Sequence, residues 1–263
     1  MYDGNAMSSL LEDVENVYRG VALRPASEFA PFLDYMMSTD MKAADALFDS
    51  HLREYIPKPF TKPETGSPTR GFGVTNSQLP VPQSIVHDFL QRHNLSLIGL
   101  IQATWVKVLS ISQMQSDVCF GNVVSGRSVP VDGVQSLVAP CFNTLPIRID
   151  TAKCRTNIAL AKTLQKMNVE MLPYQMTSLR RTQARGLIEG VRLFDSLVLL
   201  QQAPAKLDAK IWHLHGESGE MDVCGFQWDY WLILTLTSNS SLASSKWLPP
   251  MMFFTCLCIL TGM

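Results

Sequence analysis

Side chains able to carry protons or hold metals are sparse and scattered in this sequence. Five histidines stand at 51, 87, 93, 213 and 215, and six cysteines at 119, 141, 154, 224, 256 and 258. His213 and His215 would share one face of a strand running from Ile211, a spacing that suits a metal pair. No third ligand accompanies them, so packing within the strand is the simpler reading. Cys256-x-Cys258 has neither the spacing nor the following partners of a zinc site. His87 and His93 flank an apolar helical stripe and read as surface or rim residues. Four short strings remain: Tyr2-Asp3-Gly4, Phe120 through Arg127, Ala139 through Arg148, and Leu193 through Gln201. Each taken alone has a plain reading, namely a turn, a strand and turn, a loop entering a strand, and a strand opening. The second string lacks the Gly-x-Ser-x-Gly spacing of a hydrolase nucleophile elbow.

These strings need a scaffold, and the pattern supplies one. Ser8 to Tyr18 places Leu10, Leu11, Val14 and Val17 at helical spacing, with Ser8 or Ser9 as the cap. Phe29 to Tyr55 is helix-rich, while Lys58 to Pro82 reads as a Pro, Gly, Thr and Ser connection enclosing one short strand. A stripe of Ile85, Val86, Phe89 and Leu90 predicts a helix. Ser96 caps another, with Leu97, Leu100, Ile101, Trp105, Val108 and Leu109 on one face; this helix carries few charges and is expected to be deeply buried. Strands are expected over Asp117–Ser125, Leu145–Ile149, Leu197–Gln202 and Ile211–His215, with Gly126 ending the first. Asn157 to Met171 is helical, turning Ile158, Ala161, Leu164 and Met171 inward. Helices interleaved with strands imply an α/β layered domain.

Composition narrows the function classes. The net charge of −1 offers no basic footprint for nucleic acid. The longest apolar run, Met251 to Leu260, is well short of the roughly 20 residues of a membrane helix, and the N-terminus lacks a signal peptide's basic start and apolar run. Dispersed cysteines suit reduced thiols and a cytoplasmic setting. The chain is 46% hydrophobic with a mean hydropathy of +0.08, so either much of it is buried or apolar surface lacks its cover.

Taken in order, the four strings resemble the condensation domain of nonribosomal peptide synthetases. That family carries His-His-x-x-x-Asp-Gly, then Phe-Gly-x-x-x-Ser-Gly-Arg, then Phe-x-Asn-Thr-x-Pro-x-Arg, a Tyr-Gln segment and a Phe-Asp strand. Pro173-Tyr174-Gln175 supplies the Tyr-Gln element here, and the likeness runs from Met1 to about Asp222. Tyr174 through Gln183, Ala139 through Asn143 and Gly219 through Asp222 look like fungal ferrichrome-type siderophore synthetases. The resemblance implies the C-terminal lobe of a chloramphenicol-acetyltransferase-like fold, a mixed sheet with packed helices. It implies amide-bond formation between acyl and aminoacyl thioesters on the phosphopantetheine arms of carrier domains, with no cofactor or metal bound directly. The second motif histidine falls four residues before Asp3, ahead of Met1. Asp3 and Gly4 are then the motif's remnant. Asp3 would pair with an arginine of the front lobe and so lacks an obvious partner, while the Gly4 main chain stands where it can serve the oxyanion. Ser125, Asn143 and Thr144 either line the substrate tunnel or bond within their turns. Arg127, Arg148 and Asp195 are expected to be structural.

Three segments follow: 1–20, a front-lobe remnant with the motif stump and a helix; 21–224, the C-terminal lobe; and 225–263, an apolar tail. The tail holds three of the five tryptophans, and only Asp229 and Lys246 carry charge from Gln227 onward. It departs from the family pattern, as a change of reading frame or splicing near Cys224 would produce. The expected partners are carrier domains and the front lobe. These residues alone are expected to be inactive, with a non-catalytic carrier-binding remnant as the competing reading. An acyltransferase using another histidine has no support in the spacing.

Overall fold

The computed structural model describes residues 3–58, 75–79, 81–184, 191–202, 207–212, 230–236 and 257–261. Helix α1 (Gly4–Tyr18) starts a full turn earlier than the serine caps suggest. Its N-cap is Asp3, whose carboxylate accepts the Ala6 N–H. Helices α2 (Ala30–Ser38) and α3 (Met41–Leu52) follow, the second capped by Asp40 on the amides of Lys42 and Ala43. Strand β1 (Thr75–Leu79) falls inside the expected connection. Helices α4 (Gln83–His93) and α5 (Leu97–Gln113) end on Asn94 and Met114 in the left-handed conformation, and Ser96 caps α5 on Gly99.

The buried side of α5 comprises Gly99, Gln102, Ala103, Trp105, Val106, Leu109 and Gln113. Val108 faces outward instead, and Ile111 is 76% exposed, so the helix is buried on one side only. Gln102 explains the shift. Its amide pairs reciprocally with Asn168 of α6 (Asn157–Met171), so an uncharged polar side chain occupies the helix–helix seam.

Strands β2 (Asp117–Val124), β3 (Asn143–Asp150), β4 (Ser196–Gln202) and β5 (Tyr230–Leu236) make one sheet in the order β3-β2-β4-β5. β2 pairs antiparallel with β3 and parallel with β4, and β4 pairs antiparallel with β5, so the sheet is mixed. A second, two-stranded sheet joins β1 to β6 (Leu257–Thr261) in parallel. The middle of β2 and of β3 is buried at consecutive positions, so both faces of the sheet are covered there. The main core gathers Phe48, Leu52, Trp105, Val106, Leu109, Phe120, Ile147, Leu160, Leu164 and Met171. A smaller cluster of Phe32, Val129, Val134, Leu137, Ala139 and Cys141 lies under the loop between β2 and β3.

The short helix α7 (Leu179–Gln183) is tied to α3 by Arg181, which makes a two-pronged pair with Asp45 at 2.7 and 2.8 Å. Residues 207–212 form a turn, with the amides of Ile211 and Trp212 both donating to the Asp208 carbonyl. The expected strand from Ile211 therefore does not begin there, and its histidines at 213 and 215 lie outside the described residues.

Candidate functional site

The site is built around a buried ion pair. Arg127 follows Gly126, which holds φ +67° in the turn after β2; a methyl group on Gly126 would sit 1.8 Å from the Cys141 carbonyl oxygen. That clearance lets the Ser125–Arg127 turn lie directly against the strand-entry turn at Cys141, and it aims Arg127 inward. The Arg127 side chain is 2% exposed and the Asp3 side chain 6%. Arg127 Nη2 donates to both carboxylate oxygens of Asp3 at 2.9 Å. Nη1 donates to the carbonyls of Val134 at 2.6 Å and Leu137 at 2.9 Å, and Nη2 also reaches Ala139 at 3.2 Å. Asp3 Oδ2 accepts the Cys141 N–H at 3.1 Å. The partner of Asp3 is therefore Arg127 of the same chain, not an arginine of a front lobe. Capping the helix and neutralising the guanidinium are one act of one carboxylate.

The other residues singled out by sequence fall around this pair. Gly4 is exposed at the first helical position, where the early N–H groups have no intrahelical partner. Ser125 is exposed, and its Oγ accepts the Arg127 N–H at 3.3 Å. Asn143 sends both amide protons to main-chain carbonyls, Gln175 at 2.8 Å and Thr177 at 2.7 Å. Thr144 is buried on β3, and its side chain leaves the strand on the face opposite to that of Asn143. Asp195 is half-buried just before β4, and the neighbouring Phe194 ring covers the bare backbone of Gly121 in β2. Arg148 stands apart from the others. It binds Asp117 through Nε and Nη2 at 2.9 and 2.6 Å, reaches the carbonyls of His51 and Arg53, and lies 5.3 Å over the Tyr55 ring.

Sequence reasoning missed the donors and acceptors contributed by the main chain: the Cys141 N–H and the carbonyls of residues 134, 137, 139, 175 and 177. One signal was available. An arginine placed by a glycine turn between two largely apolar strands needs acceptors where it is buried. Among the described residues, Asn122 Oδ1, Arg127 Nε, Gln175 Nε2 and Thr177 Oγ1 are buried side-chain atoms with no hydrogen-bond partner.

No other imidazole among the described residues joins the pair. His87 bonds Gln91, His93 packs at a tilt against Phe89 with ring centroids 4.6 Å apart, and His51 lies on α3. Burial holds the His51 imidazole below its ordinary range, with Glu170 opposing and Arg148 adding to the effect. Burial likewise pushes the Cys141 thiol up, with Arg127 opposing and Asp3 adding to the effect, a direction that disfavours the thiolate. Among the described residues, no three His, Cys, Asp or Glu side chains are placed to hold a metal ion, and no single helix is long and apolar enough to cross a membrane.

The family model described as "Condensation domain" matches residues 1–220. The chain belongs to the condensation domain family. Among curated relatives of this condensation domain chain, Nonribosomal peptide synthetase 2 of Cochliobolus heterostrophus is 39% identical over 226 residues, 85% of this chain and 4% of that protein. The Hydroxamate-type ferrichrome siderophore peptide synthetase of Schizosaccharomyces pombe is 25% identical over 225 residues, again 85% of this chain and 4% of the relative. The condensation domain thus spans only a small part of the relatives it matches. Among solved structures, the condensation domain from the Monacolin K polyketide synthase MokA superposes with a TM-score of 0.59 at 15% identity, over 81% of this chain and 63% of that one. At that identity the likeness speaks for the fold, an α/β arrangement with a mixed sheet and packed helices.

Proposed function

We propose that this chain is the C-terminal lobe of a condensation domain that joins an acyl or peptidyl thioester to the amine of an aminoacyl thioester, both delivered on the phosphopantetheine arms of carrier domains in the cytoplasm. The amine nitrogen attacks the thioester carbonyl carbon, the carbon–nitrogen bond forms, the carbon–sulfur bond breaks, and the amine proton leaves with the thiol. Positioning two tethered reactants supplies much of the rate. One observation carries the reading. The Asp3 carboxylate, at the end of the motif stump, is locked onto Arg127 and the Cys141 N–H. This joins the three strings that the family uses at its reacting centre.

In this reading Asp3 and Arg127 hold the chain entering at Asp3, and a histidine placed four residues earlier orients the amine or takes its proton. The exposed amide of Gly4 at the helix start is a donor for the developing oxyanion. Asn143 fixes the turn at Gln175–Thr177 beside the tunnel, which Ser125 and Thr144 line. The reaction in this reading depends on that histidine, whose place none of the described imidazoles takes. The ferrichrome synthetase among the relatives points to hydroxamate siderophore peptides as the product class.

The test supplies two carrier domains, one loaded with an acyl and one with an aminoacyl thioester, and follows amide product by mass spectrometry. Product is expected from a polypeptide that adds a front lobe bearing the histidine pair, and none from the 263 residues alone. Hydroxamate-bearing aminoacyl thioesters should outcompete plain ones. Equal turnover by the 263 residues alone would overturn the assignment of the missing base.

A further inference from the structure

Helix α1 has 15 residues and is roughly 22 Å long. Only two of its residues are buried, Ala6 beside the Asp3 cap and Glu15 one turn from the far end. Its other apolar side chains give the far end little hold: Val14 is 50% exposed, Val17 61% and Tyr18 73%. Glu15 is an unusual residue to bury, since carboxylates rarely are unless paired. Here it has three donors. Oε1 accepts the Asp208 N–H at 2.8 Å and the Trp212 indole N–H at 2.9 Å, while Oε2 pairs with Arg19 at 3.0 Å. Arg19 also reaches Asp208 at 2.6 Å.

The donors are organised before they meet the helix. The Asp208 carbonyl takes the amides of Ile211 and Trp212, and its carboxylate takes the Lys210 N–H. The turn therefore presents one main-chain and one indole N–H to a single oxygen. Residues more than 190 positions apart are joined in this way, and α1 is clamped at both ends.

We propose that Glu15 is a positioning residue. By gripping the 207–212 turn it prevents α1 from pivoting about Asp3, and so keeps the chain entering at Asp3 aligned over Cys141. The catalytic consequence rests on the condensation reading; the mechanical coupling does not. Its test is amide hydrogen exchange on the full chain, read at the two N–H groups that Asp3 accepts, those of Ala6 and Cys141. Glu15→Ala should speed exchange at both at least tenfold while the β2–β3 amides keep their protection. Glu15→Gln, which keeps the oxygen that accepts both turn donors, should stay within twofold of the native chain. Trp212→Phe, altered on the turn rather than the helix, should fall between and serves if Glu15→Ala fails to fold.

Unchanged exchange at Ala6 and Cys141 in Glu15→Ala, or in Trp212→Phe where that variant stands in, overturns the proposal, as does equal acceleration throughout the sheet. In a synthetase that condenses, Glu15→Ala should lower kcat with KM unchanged. Coupling seen by exchange in a synthetase that forms no amide would defeat the condensation reading and leave the positioning role standing.

Discussion

At the level of single residues, the pair of Asp3 and Arg127 concentrates several tasks in few atoms. Two charges with almost no exposure are costly to remove from water, and the cost is offset only because each is bonded several times over. Arg127 serves one carboxylate and three carbonyls, and Asp3 serves one guanidinium and two amides. Arg127→Met would leave a buried carboxylate facing three unpaired carbonyls. Stability should fall by about 3–5 kcal/mol, the range for breaking one side of a buried pair. Lysine cannot imitate the fork that reaches four acceptors, so Arg127→Lys should recover only a minor part. Asp3→Asn separates capping from charge, because asparagine caps helices about as well as aspartate. Urea unfolding followed by far-ultraviolet circular dichroism measures all three. A loss under about 1 kcal/mol for Arg127→Met, within the range of an ordinary surface change, would mean that the pair is hydrated in solution.

At the level of elements, turns decide what meets what. Gly126 is required twice, by its positive φ and by the Cys141 carbonyl that occupies the space a side chain would fill. Gly126→Ala should therefore cost more than the roughly 1–2 kcal/mol of an L residue held in the left-handed region, and thermal unfolding should show a lowered Tm. Because the turn it distorts launches Arg127, the Cys141 amide should lose exchange protection in the same variant. A local, sub-kilocalorie effect would show that the turn relaxes freely. This level also shows what a sequence can and cannot convey. Helices α5 and α6 and strands β2 and β3 were legible, since local periodicity and the Ser96 cap determine them. The start of α1 was not, because aspartate and serine cap about equally well and the apolar stripe begins only at Leu10, whereas Asp3 is held in place by a partner 124 positions away. The outward turn of Val108 was hidden for a similar reason, since it follows from the amide seam between Gln102 and Asn168. The motif strings could be read in order. The main-chain groups that bind them together carry no residue-type signal, and only the folded backbone reveals them.

At the level of the whole molecule, the described surface leaves large apolar side chains in water. Among the described residues, two helices present exposed apolar stripes: Val14, Val17 and Tyr18 on α1, and Leu33 and Met37 on α2 with Phe29 at its N-cap, Met37 being 77% exposed. Spacings of three and four residues put the members of each set on one side of their helix. An exposed apolar stripe of this kind favours association, because each copy that covers it removes hydrocarbon from water at about 25 cal/mol per Å². The isolated chain should therefore self-associate, giving a broad or early peak in size-exclusion chromatography that shifts with protein concentration. Replacing Val17 and Tyr18 by lysine should sharpen the peak without lowering the unfolding midpoint, since neither side chain is buried in the monomer. Glu15 lies on the same helix but takes no part in the stripe, so its alanine variant should leave the elution profile unchanged while loosening the Asp3 end. A single concentration-independent monomer peak for the unaltered chain would show that these stripes are too small or too divided to drive association.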